Sequence, residues 1–87
     1  MKVIKKNGMI QDFEKEKLYT SLFNASSETA NGLINKSDAN IIIEDVYRRL
    51  FQLRDKQSTS SYEIYGVVVQ VLLENHFYEL LKSYIGL

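Results

Sequence analysis

Residues 3–18 read Val3-Ile4-Lys5-Lys6-Asn7-Gly8-Met9-Ile10-Gln11-Asp12-Phe13-Glu14-Lys15-Glu16-Lys17-Leu18. The Asn7-Gly8 pair is a strong hairpin signal, because both positions of the tight two-residue turn that it favours have positive φ. Polar and apolar residues alternate briefly on each side, which predicts paired strands within residues 1–6 and 9–13. The apolar spacing becomes helical from Lys15. The stretch therefore predicts a β hairpin that leads into a helix.

The same stretch places several cations beside one tight turn. Lys5 and Lys6 precede the turn, and Lys17 lies near the start of the predicted helix. Ammonium groups and the unpaired N–H groups of a helix N-terminus attract phosphate, so the arrangement indicates a site for a nucleoside triphosphate. The alternative is that Lys5 and Lys6 are solvated strand residues and that Lys17 pairs with a neighbouring acid, a contact of about 0.3–0.5 kcal/mol.

The composition indicates a small module. The 87 residues include no proline, repeat or low-complexity linker, so residues 1–87 are expected to form one domain. A chain of this size buries about 60–65% of its unfolded surface, which disfavours a large catalytic cavity. The 11 basic and 11 acidic residues balance, so no global field favours nucleic acid or an anionic membrane. The lysines of residues 1–8 form only a local basic patch.

Several classes of site are excluded by the residue types. The absence of cysteine excludes disulfides, thiolate nucleophiles and zinc ribbons. His76 is the single histidine, so no nucleophile–base arrangement can be recognised. No apolar run approaches the roughly 20 residues of a membrane span, and no signal-peptide pattern is present. We therefore expect a non-catalytic cytoplasmic protein without a membrane partner.

The middle of the chain is predicted to contain two helices. In the first, Leu18 and Leu22 have helical spacing, and the helix is expected to end within residues 26–32. Ser37 is a suitable N-cap for the second, with Asp38 in its first turn. Apolar residues then recur at helical spacing to about Leu53. A loop is expected between these two helices.

The last third of the chain is predicted to contain two more helices. Ser60-x-x-Glu63 is a capping-box pattern at the start of the third. Residues 67–69 are all valine and would suit a buried strand, but apolar residues recur at helical spacing over a length too great for a typical strand. Helix is favoured. Asn75-His76 is expected to bend the chain before a short final helix, whose apolar side carries Phe77, Leu80, Leu81 and Tyr84.

The order of these signals resembles the ATP-cone family over essentially the whole chain. The matching pieces are Val3-Ile4-Lys5-Lys6-Asn7-Gly8, Phe13-Glu14-Lys15-Glu16-Lys17-Leu18, Thr59-Ser60-Ser61-Tyr62-Glu63-Ile64 and Phe77-Tyr78-Glu79-Leu80-Leu81-Lys82-Ser83-Tyr84. Each piece is weak alone, but their order and spacing are fairly specific. The resemblance implies an α+β fold, with an N-terminal β hairpin extended to a three-stranded cap over a four-helix bundle. The third strand would lie around residues 57–60.

The resemblance also implies a regulatory function. Domains of this family occur mostly at the N-terminus of ribonucleotide reductases, where they bind ATP or dATP and change how the subunits assemble. The expected ligand is ATP or dATP, with Mg accompanying the nucleotide, and the expected protein partner is the catalytic domain or subunit of a parent enzyme. A related copy occurs in a zinc-containing repressor, which fits less well because its zinc ribbon needs cysteines.

Site residues are carried over position by position. The resemblance assigns Lys5 and Lys6 to the phosphates and Gly8 to the turn. Gln11 and Glu14 would lie near the adenine edge, and Lys17 and Leu18 would line the site from the first helix. The remaining implied contacts are Ser61 and Tyr65 on the third helix. From their chemistry, the apolar side chains of Val3, Phe13 and Leu18 could sandwich a purine.

The chain departs from the family pattern at three of these positions. Lys6 replaces the usual Arg and cannot grip phosphate in a planar, bidentate way. Glu14 is a poorer N-cap than the usual Asp or Asn. Tyr65 occupies the polar position of the third helix. A cone that has lost nucleotide binding and acts as a protein-interaction module is therefore the alternative function, whereas the isolated Lys5-Lys6 pair does not favour nucleic acid.

A regulatory cone is also expected to associate with other copies. Nucleotide identity must change the contacts between copies or with the parent enzyme, because a ligand regulates only by binding one state better than another. Tyr47, Phe51 and Tyr84 are candidate exposed contact positions on the second and fourth helices. The simpler interpretation places at least one of them in the core.

Overall fold

The computed structural model describes residues 1–27, 35–54 and 58–86 and contains three strands and four helices in this part of the chain. The elements, in order, are β1 Lys2–Ile4, β2 Ile10–Asp12, α1 Lys15–Ser27, α2 Lys36–Arg54, β3 Ser58–Ser60, α3 Ser61–Glu74 and α4 Tyr78–Ile85. The predicted α+β class and the four helices are confirmed. The third strand is found at Ser58–Ser60, and Gln57 lies outside the described residues.

The sheet brings the N-terminal hairpin next to the start of α3. Its strand order is β2-β1-β3, with β1 antiparallel to β2 and parallel to β3. Val3 is paired with Gln11 on one side and with Thr59 on the other. Because β3 leads directly into α3 and runs parallel to β1, the residues that follow β1 lie beside the first turn of α3. Lys5 and Lys6 are those residues.

The hairpin turn differs from the predicted two-residue turn. Lys5 N donates to Met9 O at 2.8 Å, and Gly8 N donates to Lys5 O at 2.9 Å. Gly8 has a φ of +83°, whereas Asn7 is not among the described residues with positive φ. The loop therefore has three residues and ends in a left-handed glycine, as in a type I turn with a G1 bulge. The expectation that Asn7 also has positive φ was wrong.

Two helix starts show how the local sequence sets the boundaries. Asp38 N donates to Asn35 Oδ1 at 2.8 Å, so Asn35 caps α2 and the assignment of Ser37 as its N-cap was wrong. At α3, Glu63 N donates to Ser60 Oγ at 3.1 Å, which confirms Ser60 as the N-cap. The Glu63 carboxylate accepts a hydrogen bond from Thr59 Oγ1 at 2.7 Å and thereby ties β3 to α3.

The core lies between the four helices. Helices α1 and α3 each pack against both α2 and α4. The region of residues 67–72 is helical, as favoured from its spacing, and Val68, Val71 and Leu72 are fully buried. Val3 and Leu18 are also buried, at 7% exposure each, and Leu18 joins the start of α1 to the core cluster.

The aromatic residues suggested as association contacts are half-buried instead of exposed. The Tyr47 ring lies 5.1 Å from Phe13 and 4.5 Å from Phe51, centroid to centroid. Tyr84 stacks on Tyr65. These contacts tie α2 to the end of the hairpin and α4 to α3, in agreement with the simpler interpretation of these residues as packing groups.

The junction between α3 and α4 contains a strained residue. Phe77 N donates to Leu72 O at 2.9 Å and His76 N donates to Leu73 O at 3.2 Å, the two hydrogen bonds of a Schellman motif. His76 occupies the position that this motif normally gives to glycine, and its φ is +63°. The predicted bend at Asn75-His76 is therefore a helix C-cap with a left-handed residue.

Replacing His76 by Gly is expected to raise the free energy of unfolding by about 0.5–1 kcal/mol, because a left-handed conformation costs a residue with a Cβ more than it costs glycine. Urea unfolding measures this change. His76 Nδ1 also contacts the Tyr78 hydroxyl at 2.6 Å, and Tyr78→Phe measures what that exposed contact contributes. A His76→Gly variant that loses more stability than Tyr78→Phe would contradict the strain assignment.

Candidate functional site

A cleft of about 200 Å³ lies where the hairpin and the start of α1 meet α3 and α4. Because only Phe13 and Glu14 separate β2 from α1, residues from the strand and from the first helical turn face the same space. Six of the ten predicted site residues line this cleft together. They are Val3, Lys5, Gln11, Glu14, Lys17 and Leu18.

One part of the cleft is apolar. Val3 and Leu18 form it with Ile64 of α3 and with Phe13, which comes just after β2. Val3 and Leu18 are held in place because they are also packed on the protein interior. A flat apolar ligand group, such as a purine ring, could lie against these side chains without disturbing the fold.

The acidic groups of the cleft are already paired with lysines. Lys2 donates a hydrogen bond to the Asp12 carboxylate and attracts it through its positive charge. Both interactions hold the pKa of this exposed carboxyl below its ordinary value. Lys17 Nζ lies 3.7 Å from Glu14 Oε2 and 3.4 Å from Gln11 Oε1. Lys17 is thus present at the site, but an anionic ligand would have to compete with these two partners.

Lys5 differs from Lys2 and Lys17 because it has no acidic partner among the described residues. It lines the cleft and makes no ion pair with any carboxylate in residues 1–27, 35–54 or 58–86. With Asp12 and Glu14 each balanced by another lysine, Lys5 supplies an uncompensated positive charge. The cleft therefore combines an apolar wall with one available cation.

The other predicted residues lie around the cleft instead of lining it. Lys6 points to the first turn of α3, where its Nζ is 5.3 Å from the centroid of the Tyr62 ring. Ser61 is the first residue of this helix, and Gly8 shapes the turn. The parallel pairing of β1 and β3 thus places the two lysines next to a helix N-terminus whose first N–H groups lack helical partners.

Tyr65 lines a second cavity of about 320 Å³ and not the cleft of Lys5. This second cavity shares Ser21 and Tyr84 with the cleft. Tyr84 stacks on Tyr65 with centroids 5.4 Å apart and ring planes at 22°. Burial raises the pKa of Tyr84, Tyr65 raises it further, and a hydrogen bond with Ser21 acts in the opposite direction. Besides Phe13, four further residues line the cleft of Lys5 but are not among the predicted site residues: Asp12, Ser21, Ile64 and Tyr84.

Two larger surface cavities are less suitable for an anion. One of about 350 Å³ lies between α1 and α2, where Lys15 is paired with Glu44 at 2.9 Å. Another of about 430 Å³ lies between α2 and α3, where Arg49 is paired with both Asp45 and Glu74. Their basic groups are thus neutralised by neighbouring carboxylates. Volume alone does not identify the site.

Within residues 1–27, 35–54 and 58–86, no group of three or more His, Asp or Glu side chains could hold a metal ion. In the same residues, no helix is both long enough and apolar enough to cross a bilayer.

The fold and the cleft together define a small α+β domain with a cleft that has an apolar wall and a lysine without an acidic partner in the described residues. The sequence matches the ATP cone domain family over residues 1–87, and the chain belongs to this family. ATP-cone domains are regulatory and not catalytic, and they bind adenine nucleotides as effectors. No curated protein matches the sequence closely enough to be reported.

Proposed function

We propose that this chain binds ATP or dATP in the cleft of Lys5 and acts as an allosteric regulatory domain. The observation that carries the proposal is the combination of the buried apolar wall at Val3 and Leu18 with Lys5, which has no acidic partner in the described residues. A nucleotide has both kinds of surface, a planar base and a polyanionic chain. The family membership supports the same ligand class.

The base end of the nucleotide would occupy the apolar part of the cleft. There, Val3 and Leu18 would contact the purine faces, while Gln11 and Glu14 would lie near its polar edge. Hydrogen bonds from such polar groups give specificity, because a base that leaves them unpaired loses their contribution. The base would thus be held by residues of β1, β2 and the first turn of α1.

The phosphates would extend from Lys5 past Lys6 towards Ser61 at the start of α3. Charge-assisted hydrogen bonds and the helix N-terminus both favour an anion there. Lys17 would exchange Glu14 and Gln11 for phosphate oxygens. Mg would accompany the nucleotide and be held mainly by the phosphates, since the described residues provide no cluster of carboxylates.

The regulatory context is part of the same proposal. The 87 residues would form one domain in which the three strands act as a cap over the helices, and the parent protein would be a cytoplasmic ribonucleotide reductase. The domain would act on the catalytic domain or subunit of that enzyme. The competing proposal is a cone without nucleotide binding that acts only through protein contacts, favoured by the pairing of Lys17 with Glu14.

Titration calorimetry with ATP, dATP and a short oligonucleotide tests the proposal. Saturable heat with ATP or dATP, and none with the oligonucleotide, is the expected result. Heat with neither nucleotide would favour the protein-interaction module. Binding of the oligonucleotide alone would indicate that the basic hairpin recognises nucleic acid.

Assembly that depends on the nucleotide is the expected consequence of regulation. Sedimentation of the chain with saturating ATP and then with saturating dATP should give different association states, because the two effectors must stabilise different contacts. The matched control is the same protein without nucleotide. Identical sedimentation with both, despite binding confirmed by calorimetry, would contradict regulation through self-association of this domain.

A further inference from the structure

One residue of α4 forms part of the wall between two cavities. Tyr84 lines the cleft of Lys5 and also the second cavity, and it is half-buried between them. The cleft measures about 200 Å³, which is below the roughly 300–1,000 Å³ of typical ligand pockets. A nucleotide that fills the cleft must therefore contact its walls closely, and the Tyr84 ring is the largest side chain that α4 contributes.

The orientation of the Tyr84 ring is fixed by a contact outside the cleft. Its ring stacks on Tyr65, with centroids 5.4 Å apart. Tyr65 lines the second cavity and not the cleft, so it does not cover the surface that Tyr84 presents to the cleft. An aromatic ring of α4 that is stacked on α3 and lies next to an apolar wall is a preorganised stacking surface.

We propose that Tyr84 is a base-stacking residue of the nucleotide site and that Tyr65 is a positioning residue that acts through it. This inference rests on the proposed function and adds α4 to the elements that hold the ligand. The purine would lie between Tyr84 and the apolar residues Val3 and Leu18. Base–aromatic stacking tolerates any base, because every base has a π face. Tyr84 therefore contributes affinity, whereas base selectivity falls to Gln11 and Glu14.

The first test is an NMR titration of the wild-type chain with ring-labelled tyrosine. The chain has 6 tyrosines, and single Tyr→Phe variants assign their signals. ATP and adenosine should both move the Tyr84 ring signals upfield, because the adenine ring current acts on a stacked neighbour. Tyr78, which is exposed on the same helix, should not move and is the internal control.

The second test compares variants by calorimetry. Tyr84→Leu should weaken ATP and adenosine binding by the same factor, about fivefold or more, because the ring contacts only the base. Tyr84→Phe keeps the ring and should remain within about twofold of wild type, as should Tyr78→Leu. Tyr65→Leu should weaken binding less than Tyr84→Leu does, and Tyr65→Phe should restore it.

The outcomes separate this inference from the proposed function. A wild-type chain that binds neither ATP nor dATP overturns both. ATP binding that leaves the Tyr84 ring signals unmoved overturns only the stacking role, and so does a Tyr84→Leu variant that remains folded with unchanged affinity. Should Tyr84→Leu fail to fold, the wild-type ring signals decide the question alone.

Discussion

Replacing Lys5 and Lys6 together by Ala is expected to weaken ATP binding by about tenfold or more, equivalent to about 1.4 kcal/mol. Lys5 is the cation of the cleft without an acidic partner in the described residues, and Lys6 lies beside the first turn of α3. Both side chains are exposed and neither anchors the core, so the variant should fold normally. Calorimetry measures the affinity, and urea unfolding measures the stability.

The matched control removes two positive charges away from the cleft. Arg48 pairs with Asp45 on α2, and Lys82 pairs with Glu79 on α4. The double variant Arg48→Ala with Lys82→Ala should change ATP affinity by less than about twofold at physiological salt, since exposed charges beyond about 8 Å are largely screened. Equal losses of ATP affinity in the two double variants would show that only the net charge of the protein matters. An ATP affinity that is unchanged without Lys5 and Lys6 would contradict their assignment to the phosphates.

Replacing Gly8 by Val is expected to lower the free energy of unfolding by about 2 kcal/mol and to weaken nucleotide binding about as much as removing Lys5 and Lys6 does. Gly8 has a φ of +83°, which a β-branched residue adopts only under strain. No heavy atom beyond its chain neighbours lies within 4 Å of a Cβ built at Gly8. The cost is therefore conformational and not a steric clash. Binding weakens because the turn sets the positions of Lys5 and Lys6.

Two variants separate the conformational cost from the effect of adding a side chain. Gly8→Asn should lose less stability than Gly8→Val, because Asn tolerates the left-handed region. Gly66 lies within α3 without positive φ, and Gly66→Ala should stabilise the protein by about 0.5–1 kcal/mol. Urea unfolding of the three variants measures the order. A Gly8→Val variant as stable as Gly8→Asn would contradict the left-handed turn.

Those parts of the fold that depend on local signals could be predicted from the sequence. The hairpin, the four helices and the Ser60 cap follow from turn residues, apolar spacing and a capping pattern. By contrast, β3 consists of Ser58, Thr59 and Ser60, with no apolar alternation, and its pairing with β1 spans more than fifty residues. It was expected only from the family resemblance. The predicted turn type was wrong because the Asn-Gly pair suits both a two-residue turn and a longer turn with a bulge.

In the candidate site, too, only residues that lie close together in the sequence could be predicted. Eight of the residues that line the cleft, including the six predicted ones, lie within residues 3–18, where the hairpin and α1 bring them together over a short stretch of chain. Ser21, Ile64 and Tyr84 were missed because their position in the cleft depends on how α1, α3 and α4 pack. Tyr84 has the helical spacing of a core residue, and nothing in that spacing distinguishes a core contact from a ligand contact.

An amide NMR titration of the wild-type chain with ATP tests whether the nucleotide binds in the cleft of Lys5. We expect saturable shifts confined to the cleft and the adjoining phosphate path, with the largest at Lys5, Lys6, Gly8 and Ser61, and no shift on the exposed side of α2. Amide signals that do not move at millimolar ATP, or that move mainly in the cavity between α2 and α3, would contradict it.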